Sequence, residues 1–518
     1  MLNTSFLGQS GGDTGQVITG FNYPAAVGGL NRRDAKAAMP IEDANILDNL
    51  IPRPNWVELR RGHESYATGM TGQIRTLMEW AGPSSRKFFA VNGGNIYDIT
   101  NSGAVGAADV SGLNTSDWQH INMATSGGNF LLAVSGSDSP RNYNGTAWAT
   151  TPAITGSGLT ASDLIDLTLW KSRVILVERN TKNAWYLPVN SIGGSASKID
   201  LGPQFKRGGY LLTVNTFSYD AGNGPDDYLA FISDLGEVAV YQGTDPSTAQ
   251  TFSLVGKFEL GTPIGRRCTK KVGGDLAVIT VDGVVSLIKM MQLDRSAAQR
   301  AAITNKIQQL FNEYARDYRA NFGWQCEVYP KASLALFNVP FSTTQQVQLV
   351  MNTDTGSWCR FTGWNGTCLG LYNDELYFGG NNGVVYKADS TLQDNGGIIP
   401  FDYQGAYTNF GIKGRFKIFQ LIKSLIVSSG SPSLLQAMNT DFADVEPTGT
   451  LSPSAPQSSV WGTAQWGTGV WSGDNAFFQP ASVGAIGEYG AVRIKGAANG
   501  ISLQFNAFTV DFTAGGFL

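Results

Sequence analysis

The sequence predicts an all-β protein: a β-propeller of about seven blades with an inserted amphipathic helix, and a separate C-terminal β-sandwich-like domain. Three observations predict it. A phrase of apolar strand, tight polar turn and apolar strand recurs between Arg86 and Lys387, with first strands beginning near positions 88, 130, 173, 228, 275, 334 and 376. That spacing of roughly 42 to 59 residues lies at or just above the period of propeller blades. The composition agrees, because Gly 63 supplies tight turns, while aromatics at 11% and charged residues at only 15% suit pleated, half-buried surfaces. Finally, the phrase stops near Gly396-Gly397, and the chain beyond that point has longer alternating strands.

The N-terminal region, residues 1–70, reads as a polar, Gly-rich arm followed by a short helix. Pro40 suits a first helical turn, Glu42 and Asp43 complement the helix N-terminus, and Ala44, Leu47 and Leu50 form one apolar face ending before Pro52. Val57–Arg61 and Ser65–Ala67 form a strand pair that leads into the propeller, residues 71–400. The clearest hairpins turn at Asn92-Gly93-Gly94-Asn95 and Asn180-Thr181-Lys182-Asn183, and further copies turn at Asp234-Leu235-Gly236, Asp282-Gly283 and Asn381-Asn382-Gly383. Within the propeller, Asp294 to Ala320 carries Ile303, Ile307, Leu310, Phe311, Tyr314 and Tyr318 at three- and four-residue steps, which predicts a helical insertion over 294–321. Either it packs on the propeller flank or it meets a partner. Residues 401–518 form the C-terminal β-domain, interrupted by a Pro/Ser/Gly loop over 449–459.

Enzyme signatures are scarce, so no catalytic or metal-binding residues are assigned and no cofactor is expected. There is no phosphate-binding loop, G-x-S-x-G elbow or H-E-x-x-H. His63 and His120 stand far apart, and Asp226-Asp227 would point to opposite faces of a strand. Asn352-Thr353-Asp354-Thr355-Gly356-Ser357-Trp358 is similar to the Asp-box turn of sialidase-like propellers, a structural turn rather than a catalytic one. The net charge of −4 advertises no basic stripe for nucleic acid. Cys268, Cys326, Cys359 and Cys368 lack metal-ligand spacing and read as buried thiols. Neither a signal peptide nor a membrane span is expected.

Candidate interface residues are Arg60 and Arg61, the basic cluster Lys413, Arg415 and Lys417 (with Lys423 nearby), and the five-residue repeat Trp461, Trp466 and Trp471. The tryptophans would serve either an interface or a core.

Both termini bear a family resemblance. Gly29-Leu30-Asn31-Arg32-Arg33-Asp34 to Pro40, then Asp48-Asn49-Leu50-Ile51-Pro52-Arg53-Pro54 and Val57 to Gly62, resembles the opening of tail nozzle proteins of short-tailed bacteriophages, also called tail tubular or head-completion stabilisation proteins. Phe416 to Leu425 with Gly430-Ser431-Pro432, the Trp-Gly repeat at 461–471 and Ala507 to Phe512 are similar to the end of that family. Trp358 to Trp364 and Leu376 to Gly380 extend the likeness into the middle. The resemblance implies a non-enzymatic virion protein made in the host bacterial cytoplasm and resident in the tail. It implies a homohexameric ring below the portal-adaptor ring that extends the DNA channel and retains packaged DNA. Tail fibre or needle proteins would dock on it, and viral DNA would pass without sequence-specific binding. The alternative is a carbohydrate-binding or depolymerising tail propeller, and regular Gly-His and Trp-Asp repeats of a cellular WD-type scaffold are absent.

Overall fold

A computed structural model describes residues 18–220, 225–248, 250–293, 302–451 and 475–517. Seven sheets stand around one axis, each opening with a strand that faces it: Ile74–Ala81, Gln119–Thr125, Leu164–Trp170, Leu211–Asp220, Thr269–Val272, Gln325–Tyr329 and Cys368–Tyr372. Each of these packs against the next, and the seventh returns to the first, so the ring is closed.

The sequence phrase corresponds to the second and third strands of each blade, beginning with Arg86–Asn92 and Asn95–Asp98. Gly93 and Gly94 make that turn with φ of 54° and 75°, a region glycine enters without a Cβ clash. Because the phrase is one strand out of phase with the blade, the last blade lacks an outer strand of its own. His63–Thr68, from the N-terminal side, supplies it by pairing antiparallel with Val385–Ala388. Ala67 sits opposite Val385 and is fully buried in the core between the seventh and first blades. Ring closure is thus a contact between residues more than 300 positions apart, formed by backbone hydrogen bonds and apolar burial together.

The second body draws on both chain regions flanking the propeller. In one sheet Asn475–Gly487, Arg415–Ser428 and Leu503–Phe517 lie side by side, and Ile18–Pro24 adds to Leu503–Phe517. The facing sheet is an extension of the sixth blade: beyond Trp358–Phe361 come Gly29–Leu30, Asp43–Asp48, Ile399–Gly405, Gly490–Ala498 and Ser433–Thr440. Gly29, at φ 83°, is required at that junction, because a Cβ would lie 2.6 Å from the Trp358 carbonyl oxygen. Tyr23, Tyr403, Phe419, Phe505, Phe508 and Phe512 fill the space between the sheets. Burying each such ring contributes about 1.5–3 kcal/mol, and this core runs on into the sixth blade through Phe337 and Trp358.

Two sequence expectations need correction. The short helix expected over Pro40–Ile51 is instead the strands Asp43–Asp48 and Leu50–Pro52. Ala44, Leu47 and Leu50 are all buried as expected, but a strand irregularity between Ala44 and Ile46 and the left-handed Asn49 (φ 59°) produce their three-residue spacing. Pairing with Ile399–Gly405 therefore outweighs local helix preference. The insertion helix is also shorter than expected, running Gln308–Tyr318 after a turn at Asn305–Ile307, while residues 294–301 lie outside the described residues. Its apolar face, Leu310, Phe311, Tyr314 and Ala315, is buried in the large core beside the sixth blade. Asn352 to Trp358 is a turn in that blade, held by Asn352 Oδ1 accepting from the Asp354 amide at 2.9 Å.

Candidate functional site at the propeller axis

All seven inner strands contribute to a cavity of about 370 Å³ on the propeller axis. Side chains alternate along a strand, so the axis-facing positions are the polar ones: Gln119, Asp166, Thr213, Asn215, Gln325 and Glu327. Two consecutive arginines cross this space from the loop ahead of Thr269–Val272 in the fifth blade. Arg266 Nη2 donates to the carbonyls of Ser135 (2.9 Å) and Ile165 (3.0 Å), tying the second and third blades. Arg267 donates to the Arg75 carbonyl (2.9 Å) and Thr76 Oγ1 (2.7 Å) of the first blade, and to the Trp118 carbonyl (3.3 Å). The two guanidinium groups lace the ring across its centre.

The remaining charged groups are committed to partners within the chain. Lys270 Nζ lies 2.5 Å from Glu327 Oε1. Asp166 accepts from Thr213 Oγ1 (2.5 Å) and the Val214 amide (3.0 Å), yet burial outweighs these bonds and raises its pKa to about 6. Burial, reinforced by the charges of Arg267 and Lys270, lowers His120 to about 4, so its imidazole is neutral at pH 7. This arrangement of satisfied carboxylates and bridging guanidinium groups braces the ring across its axis.

Most sequence-designated interface residues lie elsewhere. Arg60 is buried within the chain, being only 1% exposed. It forms a bidentate pair with Asp394 at 2.6 and 2.8 Å, donates to Asn49 Oδ1 and the Thr362 carbonyl, and lies over the Trp364 ring. The seam between the seventh blade and the second body holds its charge, and Arg61 beside it is exposed. Lys417 is likewise internal, its ammonium donating to the carbonyls of Ile412, Arg415 and Glu488. Three carbonyl acceptors replace water for that ammonium, which is why it tolerates burial. Lys413 is exposed, Arg415 is partly buried, and Lys423 pairs with Asp511 at 2.6 Å. Trp461, Trp466 and Trp471 lie outside the described residues. Sequence reasoning missed Arg266 and Arg267, whose one local signal is a charged pair shortly before the short strand Thr269–Val272.

No family model and no curated protein matches the chain. Among solved structures, BBS1N, crystallised in complex with ARL6DN, is 8% identical, with a TM-score of 0.41, covering 64% of this chain and 97% of that one. A computationally designed protein is 9% identical with a TM-score of 0.36, covering 63% and 99% respectively. A glycoside hydrolase family 43 arabinoxylan arabinofuranohydrolase from Bacillus subtilis is 13% identical with a TM-score of 0.25, covering 88% and 96%. At such scores the assignment of the propeller rests on this chain's own strand order and ring closure. Among the described residues no helix is long and apolar enough to cross a membrane.

Proposed function

We propose that this chain is a structural, non-enzymatic virion protein: a subunit of the tail nozzle ring of a short-tailed bacteriophage. In this reading six copies surround the DNA channel below portal and adaptor, retain the packaged genome, and present docking sites for fibres or a needle. The observation that carries it is where the resembling segments meet. Gly29–Leu30, Asp43–Asp48 and Val57–Leu59 from one end, with Arg415–Ser428 and Leu503–Phe517 from the other, form a single β-body beside the propeller. A rigid platform made from both flanks of the propeller suits a subunit that must hold its neighbours in a closed ring. Arg266 and Arg267 bridge blades across the propeller's own axis, whose cavity of about 370 Å³ is far too small for a duplex, so DNA would run through the lumen of the assembled ring. A net charge of −4 suits a wall along which DNA slides. Particles assembled without this chain are expected to lose their packaged DNA. Particles that keep DNA and complete tails without it would overturn the reading.

A further inference from the structure

At one mouth of the propeller axis a second cavity, of about 250 Å³, opens beside Arg266, Arg267, Arg319 and Phe322. Arg75 lies alongside, its guanidinium carbon 3.8 Å from the centre of the Phe322 ring, and Arg267 approaches the same ring at 5.7 Å. Asp117 is the carboxylate at this mouth, and Arg75 already takes both its oxygens, at 3.1 and 2.9 Å. Asp166, deeper in the axis, accepts from Thr213 and Val214. Among the described residues, no carboxylate lies within ion-pairing distance of Arg266, Arg267 or Arg319.

Two of these groups also have unused donors. The buried Nε of Arg266 has no hydrogen-bond partner, although its Nη2 is held firmly by two carbonyls. Arg319, just beyond the helix Gln308–Tyr318, is exposed, and its guanidinium has no hydrogen-bond or ion-pair partner among the described residues. Several arginines elsewhere in this acidic chain pair with carboxylates, as at Arg60–Asp394, Arg360–Asp48 and Arg493–Asp402. An oxyanion at this mouth would give the exposed Arg319 guanidinium acceptors in the fork geometry that guanidinium groups favour.

We infer that this mouth is a binding site for a small oxyanion, a phosphate or a carboxylate, held between Arg266, Arg267 and Arg319 beside the Phe322 ring that Arg75 covers. The inference is independent of the nozzle reading, and neither stands or falls with the other. The site would serve a free anion or the acidic side chain of a partner, since both present the same oxygens.

The test is calorimetric titration of the full chain with inorganic phosphate and, separately, with succinate. The R319A and R266K variants are measured alongside, with K413A as a control cation elsewhere on the surface. Loss of one charge-assisted contact is expected to weaken binding about 10- to 100-fold in R319A, while K413A binds as the parent does. R319A removes a side chain without partners among the described residues, so its circular dichroism should match the parent; R266K keeps the charge but loses the fork. A poly-glutamate peptide that displaces phosphate would support the site and assign it to a partner's acidic segment. Phosphate binding that the peptide does not displace would support it as a free-anion site. Absence of binding by phosphate and succinate at millimolar concentrations, or binding equal in the parent, R319A and R266K (an adventitious ion only), would overturn the inference.

Discussion

Replacing Arg60 should destabilise the seam between ring closure and the second body more than any surface substitution. In Arg60→Met the carboxylate of Asp394, only 12% exposed, loses both guanidinium contacts and keeps His63 Nδ1 at 3.1 Å as its remaining side-chain partner. Asn49 Oδ1 and the Thr362 carbonyl lose donors at the same time. Removing one partner of a buried ion pair costs about 3–5 kcal/mol, because the other charge is left desolvated. The structure adds a pH signature. Burial raises the Asp394 pKa, but hydrogen bonds from Arg60 and His63 outweigh it and hold the group at about 2, against an ordinary 3.8. A depressed carboxylate contributes stability above its unfolded pKa and loses it as pH falls through the folded value. The window is therefore pH 4 down to 2, worth at most ~2.5 kcal/mol. Urea denaturation at pH 7 and across that acidic range measures both effects. Hydrogen exchange over His63–Thr68 and Val385–Ala388 should locate the loosening. The double variant R60M/D394L, which removes both charges, should recover at least ~2 kcal/mol of the single-variant loss. A cost below about 1 kcal/mol for R60M, with an unchanged acid profile, would refute the reasoning.

Ala67→Asp places a carboxylate in the core that closes the ring, and should cost about 3 kcal/mol or more, with faster exchange in Cys368–Tyr372 and Glu375–Gly379 as the check. For Asp166 the sign is opposite to that of Asp394: its pKa is raised by burial, so stability falls as pH rises from about 4 to 6 while the unfolded chain ionises first. D166N should remove that contribution, at most ~3 kcal/mol and less where cavity water screens the group, while the fall from Asp402 (raised likewise to about 6) and the rise from the depressed His120 stay as in the parent; the difference between the two unfolding profiles against pH reads it. All four cysteines are free and buried, and burial raises their thiol pKa values, to about 12 at Cys268 and about 11 at Cys368. The native protein should therefore resist a thiol reagent that modifies every cysteine once the chain is unfolded.

The hairpins were legible because their information is local: a turn such as Asn92 to Asn95 and the strands beside it fix one another within a few residues. The inner strands were less so, since Thr213, Asn215, Gln325 and Glu327 face a polar axis and leave only alternate positions apolar, a weaker signal than the continuous apolar runs of the second strands. Asp43–Asp48 imitated a helix because a strand irregularity and one left-handed residue gave it helical spacing. At the candidate sites, charge was a poor guide to exposure. Arg60 and Lys417 are internal because Asp394 and three backbone carbonyls replace water around them, and Asp394 and the Glu488 carbonyl come from distant segments of the chain. The arginine mouth was illegible for the same reason: residues 75, 266, 267 and 319 come together only when the ring closes.

The central claim, a tail nozzle subunit, is tested most directly by quantitative mass spectrometry of purified phage particles from the source, counting this chain against the portal protein. The account predicts about six copies per particle, the stoichiometry of one closed cyclic ring. Absence of the chain from intact particles would contradict it.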